Sequence, residues 1–149
     1  MKGVVVLKKK IVFVCTGNTC RSPMAEALLN KMLSDAGLDD KFICSSAGMY
    51  AFEGDSATYE AISVSEQNEL DISDHYAKVI NHDDVNGAYL ILTMTNRHKN
   101  MVLDIYPQAM DKVFTLKEYA GFDTDDTDIT DPFGRGEEAY TACFEEIKS

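Results

Sequence analysis

The sequence predicts a single α/β domain in which a small parallel sheet of about four strands carries helices on both faces. Its 149 residues are the length of one ordinary domain. Hydrophobic residues make up 45% and charged residues 26% of the chain, as in globular proteins and unlike disordered ones. Short β-branched runs alternate with segments of helical periodicity, which indicates a parallel sheet with crossover helices.

The first unit is a strand, a tight loop and a helix. Residues 11–14 are all apolar and mostly β-branched, which predicts a strand buried on both faces. Ser22 followed by Pro23 predicts a helix with serine as N-cap and proline as its first residue. Apolar residues then recur at helical spacing up to Ala36, and Gly37 can end the helix.

The same reasoning assigns the remaining elements. Further strands are predicted at residues 42–45, 89–93 and 112–114, and further helices at residues 56–70, 96–105 and 137–148. Thr95 is the expected N-cap of the helix 96–105, and Pro107 the expected stop. We assign residues 10–149 to this domain and residues 1–9 to an N-terminal extension.

Charge and hydropathy narrow the range of partners and locations. Twenty-five acidic residues against fourteen basic ones give a net charge of −11, which repels nucleic acid and anionic lipid. The apolar residues 4–7 are followed by three lysines, so this run is far shorter than a membrane span of about 18 residues and has no signal-peptide cleavage site. We therefore expect a cytoplasmic protein with neither nucleic acid nor membrane as partner.

The four cysteines are too few and too scattered for a disulfide scaffold. They are Cys15, Cys20, Cys44 and Cys143. No pair has the CxxC spacing of a zinc or thioredoxin motif. We expect no metal site, and a cysteine with a special role is expected to be reactive.

The segment from Cys15 to Ser22, CTGNTCRS, lies where an α/β fold binds anions, between a strand end and a helix N-terminus. Gly17 and Asn18 tolerate the left-handed angles that turn backbone amides inward, and the planar fork of Arg21 can grip two phosphate oxygens. The sulfur of Cys15 would then lie beneath the phosphorus, in a field that favours thiolate. This is a phosphate-binding loop that contains a nucleophile.

A plainer interpretation is a small buried cysteine at a strand end, with an arginine six positions later by chance. The preceding strand, the glycine inside the loop and the Ser-Pro helix start are independent matches to a phosphate site, and together they outweigh that interpretation. The nucleoside-triphosphate loop GxxxxGK[ST] is absent.

Transfer of phosphate to a cysteine also needs an acid for the leaving group and a base for the attacking water. Asp131, followed by Pro132 in a late loop, is the candidate for both roles. Asp-Pro alone is more often an ordinary turn, so this assignment depends on the cysteine loop.

Two distant segments, VCTGNTCRSPMAEALL and DPFG, resemble the low-molecular-weight protein tyrosine phosphatase family. The resemblance implies a cofactor-free protein phosphatase with Cys15 as nucleophile, Arg21 as phosphate ligand and Asp131 as general acid. It assigns the phosphate cradle to Thr16, Gly17, Asn18, Thr19, Cys20 and Ser22. It also implies that Ser46 and His75 support the loop, that Tyr50 and Phe133 rim the pocket, and that Cys20 can form a reversible disulfide with Cys15.

Within the family, three features are similar to the bacterial protein arginine phosphatases. They are Thr19 in place of a bulky aliphatic residue, Phe133-Gly134 in place of an aromatic pair, and KVFTLKEY at residues 112–119. A polar threonine suits a guanidinium better than a phenol. The sequence therefore favours phosphoarginine as the substrate, with phosphotyrosine as the alternative.

Three other functions fit less well. Residues 123–127 match the DxDxT motif of magnesium-dependent phosphatases but lack a buried strand before them, and they do not fit a calcium loop. Arsenate reductase needs a later cysteine pair, and none lies between Cys44 and Cys143. A non-catalytic anion or thiol redox sensor that uses Cys15 and Cys20 remains open.

Overall fold

A computed structural model describes residues 9–18, 21–37 and 40–119. Its strands are β1 (Lys9–Cys15), β2 (Phe42–Gly48), β3 (Ala88–Thr93) and β4 (Val113–Thr115). Its helices are α1 (Arg21–Asp35), α2 (Tyr59–Gln67), α3 (His82–Gly87), α4 (Asn96–Ile105) and α5 (Leu116–Tyr119), with a 3₁₀ turn at Pro107–Ala109.

The four strands form one parallel sheet in the order β2-β1-β3-β4, which confirms the predicted α/β class. β1 lies between β2 and β3, with Cys15 opposite Gly48 and Val14 opposite Thr93. The carboxyl ends of these three strands therefore meet at one edge of the sheet, the edge at which such folds bind ligands.

Helices cover both faces of the sheet, as predicted. Side chains alternate along β1: Phe13 and Cys15 belong to the hydrophobic cluster that includes residues of α1 and α2, whereas Val12 and Val14 belong to the cluster that includes residues of α3 and α4. β1 is buried on both sides from Ile11 onward. Each of these buried side chains contributes about 1.5–3 kcal/mol of transfer free energy, so the loop after β1 begins at a strand that is buried on both faces.

Short polar side chains begin three of the helices. Thr58, Asn81 and Thr95 accept hydrogen bonds from backbone amides in the first turns of α2, α3 and α4. Helix α4, capped by Thr95, has the predicted bounds. Gly37, just after α1, has a φ of +73°, where glycine is favoured.

Several boundaries differ from the predictions for local physical reasons. Helix α1 begins at Arg21, and Ser22 lies inside its first turn rather than at its cap, because the serine hydroxyl bonds in the loop instead. β2 runs three residues beyond the predicted end, since residues 46–48 continue to pair with β1. α2 is shorter than 56–70 because Thr58 caps its start and Glu69, just after its end, has a φ of +64°. β4 lies one residue later than predicted. The sequence did not predict α3 and α5, and the predicted helix 137–148 lies outside the described residues.

None of the helices within the described ranges is long and apolar enough to span a membrane.

Candidate active site

The candidate site starts at the last residue of β1 and ends at the first residues of α1. Cys15 and Arg21 are both almost completely buried, at 1% and 3% exposure. The described part of the loop between them is Thr16, Gly17 and Asn18. Thr19 and Cys20 lie outside the described residues.

The sulfur of Cys15 has two polar neighbours at hydrogen-bonding distance. Ser22 Oγ lies 2.9 Å from Cys15 Sγ, and the backbone amide of Asn18 donates to the same sulfur at 3.3 Å. The Ser22 oxygen already accepts a hydrogen bond from Asn18 Nδ2 at 2.9 Å, which leaves the hydroxyl proton free to point at Sγ. Both neighbours can therefore donate a hydrogen bond to the sulfur.

Asn18 organises the loop from within. It is completely buried and has a φ of +56°, a left-handed conformation that asparagine tolerates better than most residues. Its Nδ2 donates to Ser22 Oγ and, at 2.8 Å, to Ser46 Oγ, and its Oδ1 accepts from the Lys78 amide at 3.0 Å. One side chain thus joins the loop to α1, to β2 and to the segment around Lys78.

A carboxylate lies one step further from the loop. Ser46 Oγ donates to Glu26 Oε1 at 2.6 Å, so a chain of hydrogen bonds runs from Glu26 through Ser46 and Asn18 to Ser22 and the sulfur. The same glutamate is close to Cys44, where burial raises the pKa of the thiol to about 12 and the charge of Glu26 acts in the same direction. Cys44 is therefore held as a neutral thiol.

His75 holds the loop from the segment that follows α2. Its Nε2 donates to the carbonyl oxygen of Asn18 at 2.7 Å. With the neighbouring amide of Lys78 on Asn18 Oδ1, this segment fixes both the backbone and the side chain of Asn18. Ser46 and His75, which the resemblance assigns to support of the loop, thus both contact Asn18.

The segment after β2 closes the other side of the loop by backbone contacts. The amides of Met49 and Tyr50 donate to the carbonyl oxygens of Cys15 and Thr16 at 2.9 and 3.0 Å. A Cβ atom on Gly48 would lie 2.6 Å from Thr16 O and 3.0 Å from the Asn18 nitrogen, so only glycine fits there. Tyr50 is 67% exposed beside the loop.

Helix α4 reaches the loop through a buried histidine. His98 Nε2 and Thr16 Oγ1 lie 2.8 Å apart in a hydrogen bond. His98 is only 4% exposed, and its backbone amide donates to the capping hydroxyl of Thr95.

The structure therefore brings together Cys15, Thr16, Gly17, Asn18, Arg21, Ser22, Ser46, Tyr50 and His75 at one edge of the sheet. Asp131 and Phe133 lie outside the described residues, as Thr19 and Cys20 do. Within residues 9–18, 21–37 and 40–119, no group of three or more His, Cys, Asp or Glu side chains is arranged to hold a metal ion.

Sequence reasoning missed Glu26, Gly48 and His98. Glu26 lies four positions after Ser22, on the same side of a predicted helix, and that spacing was a usable signal. His98 follows the predicted cap Thr95 by three residues at the carboxyl end of a predicted strand, which places it near the loop edge. Nothing in the local sequence of Gly48 indicates how closely the loop approaches it.

Comparison with known proteins gives matches along nearly the whole chain. A model of the low molecular weight phosphotyrosine protein phosphatase family matches residues 10–149. The chain is 41% identical over 141 residues to a protein-arginine-phosphatase of Geobacillus stearothermophilus, which covers 94% of this chain and 89% of that protein.

Two solved structures extend the comparison to the fold. A low molecular weight protein tyrosine phosphatase from T. tengcongensis superposes with a TM-score of 0.86 at 42% identity, over 94% of this chain and 92% of that one. A mutant of the YwlE arginine phosphatase with a phosphorylated active-site serine superposes with a TM-score of 0.87 at 35% identity. The match covers 93% of this chain and 88% of that one. Phosphatases named for arginine and for tyrosine thus both resemble this chain.

Proposed function

The chain belongs to the low molecular weight phosphotyrosine protein phosphatase family and is a cysteine-dependent protein phosphatase, and from this premise we propose that it hydrolyses phosphoarginine in proteins. The alternative is phosphotyrosine hydrolysis by the same residues. The observation that carries the proposed mechanism is the environment of Cys15 Sγ, where a hydroxyl and a backbone amide lie at 2.9 and 3.3 Å.

In the first step the Cys15 thiolate attacks phosphorus in line with the leaving group. The sulfur–phosphorus bond forms as the phosphorus–nitrogen bond of phosphoarginine breaks. The electron pair goes to the guanidinium nitrogen, which takes a proton from Asp131. Arg21 and the backbone amides of the loop balance the charge of the phosphoryl oxygens.

In the second step water attacks the phosphocysteine. Asp131, now a carboxylate, takes the proton from that water, and the sulfur–phosphorus bond breaks to release inorganic phosphate and the thiolate. The short contact of Sγ with Ser22 supports this step, because a hydrogen-bond donor stabilises the sulfur as it leaves. No cofactor takes part.

The choice of phosphoarginine rests on three residues of the sequence and on the relatives. A relative at 41% identity is named a protein-arginine-phosphatase, and Thr19 and Phe133-Gly134 follow the pattern similar to that branch. A hydroxyl at position 19 offers a polar neighbour to a guanidinium, whereas a phenyl ring gains from an apolar one.

A direct test uses two peptides of one sequence, with phosphoarginine or phosphotyrosine at the same position. We expect kcat/KM to be higher for phosphoarginine and to vanish in Cys15→Ser. Thr19→Ile should lower the arginine-to-tyrosine ratio of kcat/KM about tenfold, since one pocket contact is worth about 1–3 kcal/mol. A wild-type preference for phosphotyrosine would favour the alternative. Absence of hydrolysis of both peptides would favour a sensor that uses Cys15 and Cys20.

We also propose that the protein acts in the cytoplasm, without nucleic acid or membrane as partner. Its net charge of −11 opposes binding both to nucleic acid and to a membrane that contains anionic lipid. Fractionation of the source cells, with activity in the soluble cytosolic fraction as the expected result, tests this proposal.

A further inference from the structure

We propose that His98 is a positioning residue for the phosphate loop, which it holds through the side chain of Thr16. This inference rests on the proposed function, because it assumes that the loop binds a phosphoryl group. The carrying observation is the 2.8 Å hydrogen bond between His98 Nε2 and Thr16 Oγ1, which joins residues 82 positions apart in the chain.

Hydrogen bonds and packing hold the imidazole of His98 in place. His98 lies in the first turn of α4, where its own amide donates to the capping hydroxyl of Thr95 at 3.1 Å. The residue before Thr95 is also bonded to β1, since the Met94 amide donates to the carbonyl oxygen of Val14 at 3.0 Å. His98 as a whole is only 4% exposed, so packing restricts rotation of its ring.

Thr16 directly follows Cys15, so its orientation sets the direction of the loop backbone. Its carbonyl oxygen accepts the Tyr50 amide at 3.0 Å and its hydroxyl bonds to His98, so both its backbone and its side chain are held. Fixing the Thr16 carbonyl fixes the plane of the next peptide. The amide of Gly17, on that peptide, is then aimed before any ligand arrives.

His75 and His98 hold neighbouring parts of the loop from different elements. His75 donates to the carbonyl oxygen of Asn18 from the segment after α2, whereas His98 reaches Thr16 from α4. Preorganised amides stabilise an oxyanion more than amides that must first be ordered. Loss of the His98 contact should therefore weaken phosphate binding and slow turnover without unfolding the domain.

The test is a double-mutant cycle of His98→Leu and Thr16→Val. Its readouts are the calorimetric Kd for inorganic phosphate, kcat and KM on a phosphopeptide, and the thermal midpoint. Because one hydrogen bond contributes about 0.5–1.5 kcal/mol net, each single variant should bind phosphate about two- to thirteenfold more weakly. The double variant should be no weaker than either single one, because both remove the same contact.

Conservative variants separate positioning from general packing. His98→Gln places an amide near the Nε2 position and should recover most of the phosphate affinity, and Thr16→Ser should do the same. His98→Asn stops short of Thr16 and should bind as weakly as His98→Leu; this pair decides the result if His98→Leu does not fold. His82, an exposed histidine of α3, is the matched control, and His82→Leu should leave phosphate binding unchanged.

Equal effects of His98→Leu in the wild-type and Thr16→Val backgrounds would overturn the proposal. So would a fall in the thermal midpoint with an unchanged phosphate Kd. The proposed function fails separately, through absence of hydrolysis in a wild-type protein that still binds phosphate. In that case the double-mutant cycle still tests the role of His98, because its readout is the calorimetric Kd for inorganic phosphate.

Discussion

Asn18 combines two properties that few side chains offer together. It occupies a left-handed backbone conformation, and it uses its amide both as donor to Ser22 and Ser46 and as acceptor from the Lys78 amide. Glycine would meet only the first requirement, and other polar residues meet the second with more strain. The interior of the loop thus depends on one residue for both its shape and its hydrogen bonds.

We expect Asn18→Ala to lower the free energy of unfolding by about 2–5 kcal/mol, the sum of three lost hydrogen bonds and left-handed strain. Asn18→Gly should lose less, because it relieves the strain and removes only the hydrogen bonds. Urea denaturation measures both values. Both variants should lose at least about tenfold in kcat/KM, and full activity in Asn18→Gly would contradict the role assigned to the amide.

Cys44 provides a second prediction at the residue scale, with the opposite chemistry to that proposed for Cys15. Burial raises the pKa of the Cys44 thiol to about 12 from an ordinary 9.0. At pH 8 roughly one molecule in ten thousand then carries a Cys44 thiolate, so alkylation at this position should be slow in the native protein and fast in urea.

Iodoacetate labelling of a Cys20→Ser, Cys143→Ser variant, mapped by mass spectrometry, measures this directly. Cys15 should be labelled in the native protein, and inorganic phosphate should protect it. Native labelling of Cys44 at the rate seen in urea would show that the thiol is not held as inferred. The raised pKa also makes stability depend on pH, because the unfolded chain loses the Cys44 proton at lower pH than the native protein does. The contribution of Cys44 to the free energy of unfolding is complete below about pH 9 and is lost as pH rises towards 12.

At the scale of elements, the close approach between the end of β2 and the loop predicts an asymmetry between two glycines. A Cβ on Gly48 would lie 2.6 Å from Thr16 O, whereas one on Gly87, at the end of α3, would meet nothing within 4 Å. Gly48→Ala must therefore displace the loop backbone. Gly87→Ala only lowers the conformational entropy of the unfolded chain, which favours the native state.

We expect Gly48→Ala to lose about 1–3 kcal/mol of stability, the usual cost of overpacking a tight contact, and most of the activity. Gly87→Ala should be neutral or more stable by about 0.4–1 kcal/mol, with unchanged kcat/KM. Chemical denaturation and steady-state kinetics on one phosphopeptide compare the two. Equal activity in both variants would mean that the loop can move away from Gly48 freely.

The elements also show what can be read from one sequence. β1 and α4 were predictable because a β-branched run and a threonine cap are local signals. The extra residues of β2 were not, because Ser46 and Gly48 join the strand by pairing with β1, which is a tertiary contact. The loop residues were identified from a short segment, whereas Gly48 and His98 contact Thr16 from positions 32 and 82 residues further along the chain.

For the molecule as a whole, a strongly acidic chain has to bind a dianion. The net charge of −11 repels phosphate, although at physiological salt this repulsion is largely screened beyond about 8 Å and so gives no help to binding. Binding therefore depends on local donors, in our proposal the loop amides and Arg21.

Inorganic phosphate at about 100 times its Kd should add about 2.7 kcal/mol to the stability of the native state, which for a domain of this size raises Tm by about 5–10 °C. The scan is run against sodium chloride at equal ionic strength, so that screening of the net charge does not contribute to the difference. Because the proposed site uses no metal, the shift should be the same in EDTA and in magnesium. Arg21→Met should abolish the shift, since the buried guanidinium at the start of α1 is the one cation we assign to the phosphate. A shift that EDTA removes would place a metal in the site, and a shift that survives in Arg21→Met would mean that phosphate stabilises the protein from somewhere other than this loop.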